Sequence, residues 1–553
     1  MKKNLIPYLI AVGLIVLIAA GALGIQILQK YIPTKEQADI SQILGVEGEK
    51  TAIYLNDELQ EEQGITRDNQ TYLPIQWVNE RLNEKFYWDE VEMLLVYTLP
   101  DTIVYADRRT MGSEGKPLIL VEDEGVYLSA GLVNNYTDIH TEVYNTQEYK
   151  RIYVNHSGQP GQLGNVKKKT AVRVLGGIKS PIITTLEKGG QFRILEQMTE
   201  WTKVRTEDGF IGYIPNKRMN ETWTERETDL FVEPLYSSIS LDEKVCLAWH
   251  QVTSAEANNA LEELIANTKG LNVIAPTWFA LTDNEGNYHS FADQSYVDLV
   301  HDKGMQVWAV LDNFNRGENV KSEVLFARTS VRKELIANLI EEVKRYGIDG
   351  INLDIEGIKP EAGPHYVQFI RELSVSCRNE GIILSVDNYV PTAYTSFYNR
   401  GEQGRVADYV IIMAYDEHYA GGEAGSVSSL IYVDKGIQDT IREIPKEKVI
   451  CAVPFYTRVW TENGGETTSS ALGISSASSW IEENQVKLYW QEELGQYYGE
   501  LETEEGLKLI WVEDETSLGL KMELIKKADL AGVACWKLGF EPESIWDVVK
   551  VNE

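Results

Sequence analysis

The sequence predicts an α/β protein whose C-terminal part is an eight-stranded (β/α)8 TIM barrel with a small α+β insertion. From Val245 onward, apolar strand runs alternate with helical runs, and eight such strand runs follow one another. A long gap between the seventh and eighth runs contains hairpin-like segments and predicts the insertion. The eight strands are predicted to begin near Val245, Val273, Gln306, Gly350, Ile382, Tyr409, Val449 and Gly532.

Two smaller regions precede this barrel, which is predicted to occupy residues 235–553. Residues 31–165 show short alternating strands with a helix, which predicts an α+β region. Residues 168–220 contain five short β runs with glycines at the turns, which predicts a small β-rich barrel. The acidic, threonine-rich stretch 220–233 is the predicted linker to the last domain.

Length and charge exclude several classes of protein. A chain of 553 residues is expected to form three or four domains, and 43% hydrophobic residues indicate a globular protein. The formal charge of −32 argues against nucleic acid or an anionic lipid surface as a partner, because both would be repelled. The four cysteines all follow residue 245, without disulfide-scaffold or metal spacing, although a Cys451–Cys535 pair stays open.

An apolar stretch near the N-terminus predicts contact with a membrane. Residues 5–28 carry no charged side chain and follow Lys2 and Lys3. At about 1.5 Å per residue such a helix spans a hydrocarbon core of about 30 Å, so residues 1–30 are predicted to be a short cytoplasmic stub and a signal anchor. The rest of the chain would then lie outside the cell membrane. The small residues 19–22 keep cleavage and secretion open as the alternative.

The chemistry is predicted to centre on the octet DGINLDIE, residues 349–356, which follows an amphipathic helical run. A strand alternates its faces, so Asn352, Asp354 and Glu356 point one way and the isoleucines and Leu353 point the other. Two carboxyl groups one strand period apart repel each other when charged. Their protonation is therefore coupled, and one of them can stay protonated near neutral pH as a general acid.

This octet resembles the D-x-x-D-x-D-x-E signature of family 18 glycoside hydrolases, the chitinase-type barrels. The resemblance implies that Glu356 donates a proton to the glycosidic oxygen and that Asp354 orients the N-acetyl group of the substrate as the nucleophile. It also implies that Asp349 and Asn352 belong to the substrate-binding set, and that no second carboxylate nucleophile is present. Asn352 stands where most members carry aspartate, which puts the pH optimum in doubt more than the activity.

Two further motifs extend the resemblance. Residues 413–416, MAYD, are similar to the family's M-x-Y-D, which implies that Tyr415 donates its hydroxyl to the acetamide, that Asp416 contacts the sugar and that Met413 packs beneath. Residues 454–460, PFYTRVW, are similar to P-x-Y-G-R-x-W.

Several aromatic and basic side chains complete the implied groove. Tyr456 and Arg458 are implied to line it, and Trp536 on the eighth strand is implied to form the floor of the subsite for the scissile sugar. Trp278 on the second strand and residues 387–389 on the fifth are weaker candidates, for which structural roles stay open.

The N-terminal regions resemble envelope modules. Residues 31–165 are similar to copper-amine-oxidase N-terminal-like domains, with a weaker second copy in residues 117–154, but His140 and His156 are too few and too isolated for copper. Residues 168–220 are similar to bacterial SH3-type domains, which implies either contact with cell-wall peptide or a spacer. The matching residues are Trp201, Gly209, Gly212 and Tyr213.

Together these resemblances imply an extracytoplasmic glycoside hydrolase that needs no metal or cofactor. Its partner would be a glycan polymer containing N-acetylglucosamine, either peptidoglycan or chitin-like, with the spore-cortex and cell-wall branch of the family as the nearest likeness. The alternative is a catalytically silent wall-binding protein on the same barrel. The presence of Glu356, Asp354 and Tyr415 favours the enzyme.

Overall fold

The computed structural model describes residues 6–145, 149–158, 160–225, 231–314 and 320–552. The chain forms two compact units. The first comprises Met1–Phe86 and Ala106–Glu233, and the second comprises Tyr87–Tyr105 and Pro234–Glu553. Lys2 and Lys3 of the predicted cytoplasmic stub lie outside the described residues.

The helices follow the predicted division into an N-terminal β-rich part and a C-terminal α/β part. The α-helices are α1 Ile6–Tyr31, α2 Ile40–Leu44, α3 Ile75–Arg81, α4 Ala130–Tyr136, α5 Leu261–Ile265, α6 Gln294–Asp302, α7 Ser322–Leu325, α8 Thr329–Tyr346, α9 Gly363–Glu380, α10 Arg400–Val406, α11 Leu430–Thr440, α12 Ile474–Glu483 and α13 Glu515–Ala528. Short 3-10 helices lie at Asn216–Arg218, Ala255–Ala260, Pro360–Ala362, Ala393–Tyr398, Lys446–Lys448 and Glu543–Asp547.

The strands up to residue 225 belong to three sheets. They are β1 Lys50–Leu55, β2 Glu58–Arg67, β3 Gln70–Pro74, β4 Tyr87–Asp89, β5 Leu94–Thr98, β6 Ile103–Ala106, β7 Ile119–Glu122, β8 Gly125–Ser129, β9 Ile139–Tyr144, β10 Arg151–His156, β11 Gly161–Val166, β12 Thr170–Arg173, β13 Ile182–Leu186, β14 Gln191–Gln197, β15 Trp201–Thr206, β16 Ile211–Pro215 and β17 Met219–Glu225.

The strands after residue 244 build the barrel and its insertion. They are β18 Val245–His250, β19 Val273–Pro276, β20 Phe279–Leu281, β21 Tyr288–Ser290, β22 Gln306–Asp312, β23 Gly350–Asp354, β24 Ile383–Tyr389, β25 Tyr409–Met413, β26 Val449–Pro454, β27 Tyr456–Asn463, β28 Glu466–Gly473, β29 Lys487–Gln491, β30 Gln496–Thr503, β31 Gly506–Val512 and β32 Gly532–Trp536.

Two seven-stranded sheets make up most of the first unit. One has the order β7-β8-β3-β2-β1-β10-β9, and within it a hairpin followed by a short helix occurs twice, as β2-β3-α3 and as β7-β8-α4. The other has the order β13-β12-β16-β15-β14-β11-β17 and contains the five strands predicted within residues 168–220. The predicted linker 220–233 needs correction, because β17 continues to Glu225 and pairs with β11.

Eight parallel strands close the barrel of the second unit, as predicted. The order β19-β18-β32-β26-β25-β24-β23-β22 returns on itself because β19 also pairs with β22. Seven of the eight strands begin at the predicted residue, and β24 begins one residue later, at Ile383. The predicted insertion is a five-stranded sheet, β28-β27-β31-β30-β29, together with α12.

The strand that carries the octet is positioned by the helix before it. Helix α8 buries Leu335, Leu339 and Val343 along one side, and the residue that caps its C-terminus, Gly347, has a φ of +70°, which favours glycine. The next strand begins at Gly350, where a Cβ atom would lie 2.8 Å from Cδ1 of Trp308. Glycine is therefore required for the close approach of β22 and β23.

Residues 87–105, which carry the three-stranded sheet β4-β5-β6, belong to the second unit, whereas the sequence pattern assigned them to the region 31–165. Oδ2 of Asp89 accepts hydrogen bonds of 2.6 Å from both N and Oγ1 of Thr329, the first residue of α8. Arg328, which precedes α8, supplies no side-chain cap, so Asp89 satisfies donors that the helix leaves open. Asp89 of this sheet thus pairs with the start of α8, a contact that no local pattern encodes.

Candidate active site

Three aspartates lie in one row across the carboxyl ends of adjacent barrel strands. Asp312 on β22 is in register with Asp354 on β23. Leu353 pairs with Val386, so the next pair along β23 and β24 is Asp354 with Asp387. All three side chains are buried, on strands about 4.8 Å apart. The row places three acids at the end of the barrel where enzymes of this fold carry their active sites.

Asn352 lies one layer below this row and is fully bonded. Its Oδ1 accepts a 3.0 Å hydrogen bond from Nε1 of Trp249. Its Nδ2 donates to Oγ of Ser385 at 2.9 Å and to Oδ1 of Asp387 at 2.7 Å. Asn352 therefore links three strands of the barrel beneath the carboxyl groups.

The backbone of Glu356 is held by a single amide side chain. Oδ1 of Asn313 accepts from the Glu356 N–H at 3.0 Å, and Nδ2 of Asn313 donates to the Glu356 carbonyl at 2.7 Å. The following residue, Gly357, has a φ of +62°, which lets the chain turn away directly after the acid. The side chain of Glu356 is half-buried, and the neighbouring Tyr389 hydroxyl and Asp354 carboxyl group act to lower its pKa.

Burial and mutual repulsion keep protons on this cluster. Burial raises the pKa of Asp354 well above its usual range, and the charges of Asp387, Glu356 and Asp312 raise it further. Burial also raises the pKa of Glu356. Contact between these two carboxyl groups raises the pKa of Asp354 further and opposes the rise at Glu356.

Next to this cluster, the structure brings together four residues of the two further motifs: Tyr415, Asp416, Tyr456 and Arg458. The Tyr456 hydroxyl donates to Oδ1 of Asp416 at 2.6 Å, and the rings of Tyr456 and Tyr415 meet edge to face at 6.2 Å between centroids. Nη2 of Arg458 lies 4.0 Å from the same Asp416 oxygen. Burial, followed by the charge of Asp354, raises the pKa of the Tyr415 hydroxyl, which therefore stays a proton donor.

Trp536 lies beside the cluster and rests on Trp249. Their ring centroids are 5.8 Å apart, and Trp536 is half-buried whereas Trp249 is buried. Met413 is buried on β25 in register with Tyr389. Trp249 thus supports both Trp536 and Asn352.

Two predicted substrate-binding residues lie elsewhere. Asp349 precedes β23, about 17 Å along the strand from Asp354. There its Oδ2 accepts from Nε2 of His301 and from the backbone N–H of Val307, both at 2.8 Å. Asp349 therefore ties the amino ends of the strands together and does not reach the cluster. In the motif, Asp349 comes just before the strand begins and Asp354 stands where it ends.

Trp278 is also separate from the cluster. Its side chain is fully buried in the core outside the barrel, where Nε1 donates to Oδ1 of Asn258 at 2.9 Å and the ring meets Tyr296 edge to face. It lies beyond the end of β19, so the alternation of that strand does not govern its direction.

Sequence reasoning missed Trp249, Asn313 and Asp312, and it ranked Asp387 and Tyr389 low. The available signal was a polar or aromatic residue at the end of each apolar strand run, as in VCLAW, VWAVLDN and ILSVDNY. Within the described ranges, no group of three or more His, Cys, Asp or Glu side chains is arranged to hold a metal ion. The four cysteines are free and buried, so the Cys451–Cys535 pair is not formed.

Comparisons with known proteins agree with this geometry. The sequence model described as Glycosyl hydrolases family 18 matches residues 282–541, and the one described as Bacterial SH3 domain matches residues 168–220. The chain is 28% identical over 292 residues to the uncharacterized glycosylase YvbX of Bacillus subtilis, covering 51% of this chain and 84% of that protein. It is 27% identical over 232 residues to the cortical fragment-lytic enzyme of the same species, covering 40% of this chain and 54% of that enzyme.

Among solved structures, a chitinase from Chromobacterium violaceum is similar with a TM-score of 0.51 and 20% sequence identity. The alignment covers 55% of this chain and 98% of that structure. At this level of identity the likeness concerns the barrel fold alone.

Proposed function

We propose that the chain hydrolyses β-1,4 bonds of a polysaccharide that contains N-acetylglucosamine, because residues 282–541 match the sequence model of family 18 glycosyl hydrolases. The observation that carries the proposal is the pair Asp354–Glu356 beside Tyr415. A half-buried acid with a raised pKa stands next to a buried acid whose pKa is raised as well, and a tyrosine hydroxyl lies close by. These are the groups that proton donation and acetamide orientation require.

The proposed reaction has two steps. In the first, Glu356 gives its proton to the glycosidic oxygen, the bond to the anomeric carbon breaks, and the acetamide oxygen of the same sugar bonds to that carbon. Asp354 accepts from the acetamide N–H and Tyr415 donates to the acetamide oxygen, so the cyclic oxazolinium ion is stabilised. In the second, water attacks the anomeric carbon, the bond from that carbon to the acetamide oxygen breaks, and the Glu356 carboxylate takes the proton of the water. The β configuration is retained, and no sugar becomes attached to the protein.

The proposed substrate is peptidoglycan, with chitin-like glycan as the other polymer of the same chemistry. The likeness to a cortical fragment-lytic enzyme supports peptidoglycan, as does the SH3-type domain over residues 168–220. The chain spans about half of that enzyme, so its substrate is assigned here by proposal.

The experiment is to incubate the protein with purified vegetative peptidoglycan, spore cortex and chitin oligomers, and to identify the released ends by mass spectrometry. We expect new reducing-end N-acetylglucosamine from at least one polymer, and Glu356→Gln to release none. Binding without any release from all three would favour the silent wall-binding alternative.

We also propose that helix α1 anchors the protein in the cell membrane with the rest of the chain outside. The helix has 26 residues and a mean hydropathy of 2.6 over its most apolar window, and a signal sequence would pass the same test. Membrane fractionation with N-terminal sequencing distinguishes the two. An intact N-terminus in the membrane fraction supports the anchor, and a new N-terminus after residues 19–22 shows cleavage and secretion.

For the SH3-type domain we propose contact with the peptide stems of the wall. Binding of the Glu356→Gln protein to peptidoglycan should then fall when an amidase has removed the stems. Equal binding to stripped and intact walls would leave the domain as a spacer.

A further inference from the structure

A buried carboxylate at the end of the insertion sheet accepts hydrogen bonds at both of its oxygens. Glu513, which directly follows β31, accepts from Nζ of Lys521 at 2.6 and 2.7 Å, and both side chains are buried. Its Oε1 also accepts from Nε2 of Gln496 at 2.6 Å, and its Oε2 from Oγ of Ser517 at 2.7 Å. Burial raises the pKa of Glu513, and the charge of Lys521 opposes the rise. These donors fill the lone pairs of the carboxylate, so Glu513 acts only as an acceptor.

This carboxylate fixes the orientation of the Gln496 amide. Because Glu513 only accepts, the part of the amide that faces it must be the NH2 group, and Oε1 of Gln496 faces the other way. There Oε1 accepts a hydrogen bond from the hydroxyl of Ser426, in the loop between β25 and α11. Gln496 is fully buried and is the first residue of β30, so it links the insertion sheet to this loop.

The same loop extends the hydrogen bonds to the end of β25. The Ser426 hydroxyl gives its one hydrogen to Gln496, and its oxygen accepts from the backbone N–H of Ser428 at 3.0 Å. The hydroxyl of Ser428 donates to the carbonyl of Ala414 at 2.7 Å. Both serines are buried. A continuous chain of hydrogen bonds therefore runs from helix α13 to the residue before Tyr415.

Ala414 determines how the backbone enters Tyr415 and Asp416. The carbonyl of Ala414 and the N–H of Tyr415 belong to one planar peptide unit, so a bond to the carbonyl also fixes the plane from which Tyr415 extends. The N–H of Ala414 donates to the carbonyl of Ala452 on β26 at 3.2 Å. Asp416 adopts a φ of +55°, an unfavourable value for a residue with a side chain, which persists where the surrounding structure imposes it. The hydrogen-bond chain supplies a constraint of this kind directly before it.

We propose that Gln496 is a positioning residue for Tyr415. Through the two serines it holds the Ala414–Tyr415 peptide unit, and it thereby directs the Tyr415 hydroxyl at the acetamide oxygen of the substrate. That hydroxyl is needed most in the transition state, so loss of the constraint should lower kcat more than substrate binding. The role in hydrolysis rests on the proposed function, whereas the hydrogen-bond chain belongs to the protein without substrate.

Gln496→Met tests the proposal, because methionine has a similar length but lacks the donor for Glu513 and a strong acceptor for Ser426. In the full chain acting on an N-acetylated glycan oligomer, we expect kcat to fall about tenfold or more and KM to stay within about twofold of the wild type. Gln491→Met is the matched control. Gln491 pairs with Gln496 across the β29–β30 hairpin, and its Oε1 accepts from Nε1 of Trp511 at 3.1 Å. Its kinetic constants should match the wild type.

Unchanged kcat in Gln496→Met, or an equal loss in both variants, would overturn the proposal. If Gln496→Met does not fold, Ser428→Ala decides, because it removes only the last hydrogen bond of the chain, to Ala414. It should lower kcat and keep KM, and full kcat in this variant would contradict the proposal.

A double-mutant cycle with Tyr415→Phe separates positioning from a general loss of stability. If Gln496 acts through the Tyr415 hydroxyl, Gln496→Met should change kcat by less than about twofold once that hydroxyl is absent. Losses that multiply in the double variant would show that Gln496 does not act through Tyr415. The affinity of Gln496→Met for an acetamide-derived thiazoline should fall more than its affinity for the product sugar, because the thiazoline resembles the intermediate.

Hydrogen exchange of the protein without substrate gives a readout that needs no activity. Backbone exchange within residues 414–417 should be faster in Gln496→Met and Ser428→Ala than in the wild type and in Gln491→Met. Equal exchange in all four proteins would overturn the inference. If the wild type hydrolyses no glycan, the proposed function fails, while hydrogen exchange still decides whether this chain of bonds holds the segment.

Discussion

Two sets of buried acids in the second unit differ in the groups that face them. Between α8 and α9, Oε1 of Glu372 lies 2.9 Å from Nη2 of Arg332, and both side chains are fully buried. Glu402 pairs with Arg371 at 2.8 Å, and Glu513 pairs with Lys521 at 2.6 Å. At the mouth of the barrel, the acids Asp354, Asp387 and Glu356 form no such pair among the described residues and bond only to neutral groups and to one another.

We infer that the acids paired with a cation stabilise the fold, whereas the acids at the barrel mouth are available for proton transfer. Burial raises the pKa of Glu372 and Glu513 as well, but an adjacent cation opposes the rise in each case. At the barrel mouth no cation of the described residues opposes the rise, so these acids keep protons that a reaction can use. Four substitutions test this division, from the largest expected effect to the smallest.

Glu356→Gln should give the largest effect. It removes the proton donor and keeps the shape, so hydrolysis should fall by about 10²- to 10⁴-fold or more while the glycan still binds. Turnover and binding are measured on the same oligomer. Because this acid has no cation to leave unpaired, the melting temperature should stay near that of the wild type. A variant with full turnover would remove Glu356 from the mechanism.

Glu372→Ala should lower the stability of the protein and leave its turnover nearly unchanged. It leaves the Arg332 guanidinium buried without its counterion, and breaking such a pair typically costs about 3–5 kcal/mol. Denaturant unfolding of the second unit measures the loss, and kcat of the remaining folded protein should change little. Arg332→Met/Glu372→Leu removes both charges and should recover much of the stability. A stable Glu372→Ala protein would show that the pair does not hold the fold.

Asp354→Asn should abolish activity and raise stability above that of the wild type as the pH rises. Because folding raises the pKa of Asp354, its protonated carboxyl group stabilises the folded wild type fully below the unfolded pKa of about 3.9. This stabilisation is lost as the pH rises through the pKa of the folded state. The gap in melting temperature between variant and wild type should therefore be small at about pH 4 and larger at about pH 8. A gap that shrinks with rising pH would contradict the direction of the shift.

Asp349→Asn should have the smallest effect. It weakens the partly exposed contacts to His301 and Val307, at a cost of about 1 kcal/mol or less, and lies far from the cluster. Kinetic constants on the preferred oligomer should match the wild type. A marked rise in KM would return Asp349 to the substrate-binding set that its motif position implies.

Sequence patterns predicted those parts of the molecule that depend on local periodicity. Apolar runs predicted all eight barrel strands, and the alternation along residues 350–354 predicted that Asn352 and Asp354 share a face. The D-x-x-N-x-D-x-E spacing does not by itself show that Asp349 lies at the opposite end of the strand from Asp354. A motif records the order of residues and not the distance between their side chains. The resemblance of residues 31–165 to an envelope domain stays a prediction.

The parts that were missed depend on register between strands. Asp387 becomes important because β24 runs beside β23 with Val386 opposite Leu353, and Asn313 because it reaches the backbone of Glu356 from the next strand. Such contacts join residues more than 30 positions apart, and only the closed barrel determines them.

The most direct test of the central claim compares two substrates that differ in one group. The enzyme is given a glycan oligomer with the N-acetyl group intact at the cleaved position and the same oligomer with it removed, and initial rates are measured by mass spectrometry. If Asp354 and Tyr415 act on the substrate's own acetamide, the first is cleaved, the second is not, and rapid quenching recovers the protein without attached sugar. Efficient cleavage of the deacetylated oligomer, or a sugar bound to a carboxyl group of the protein, would contradict the account.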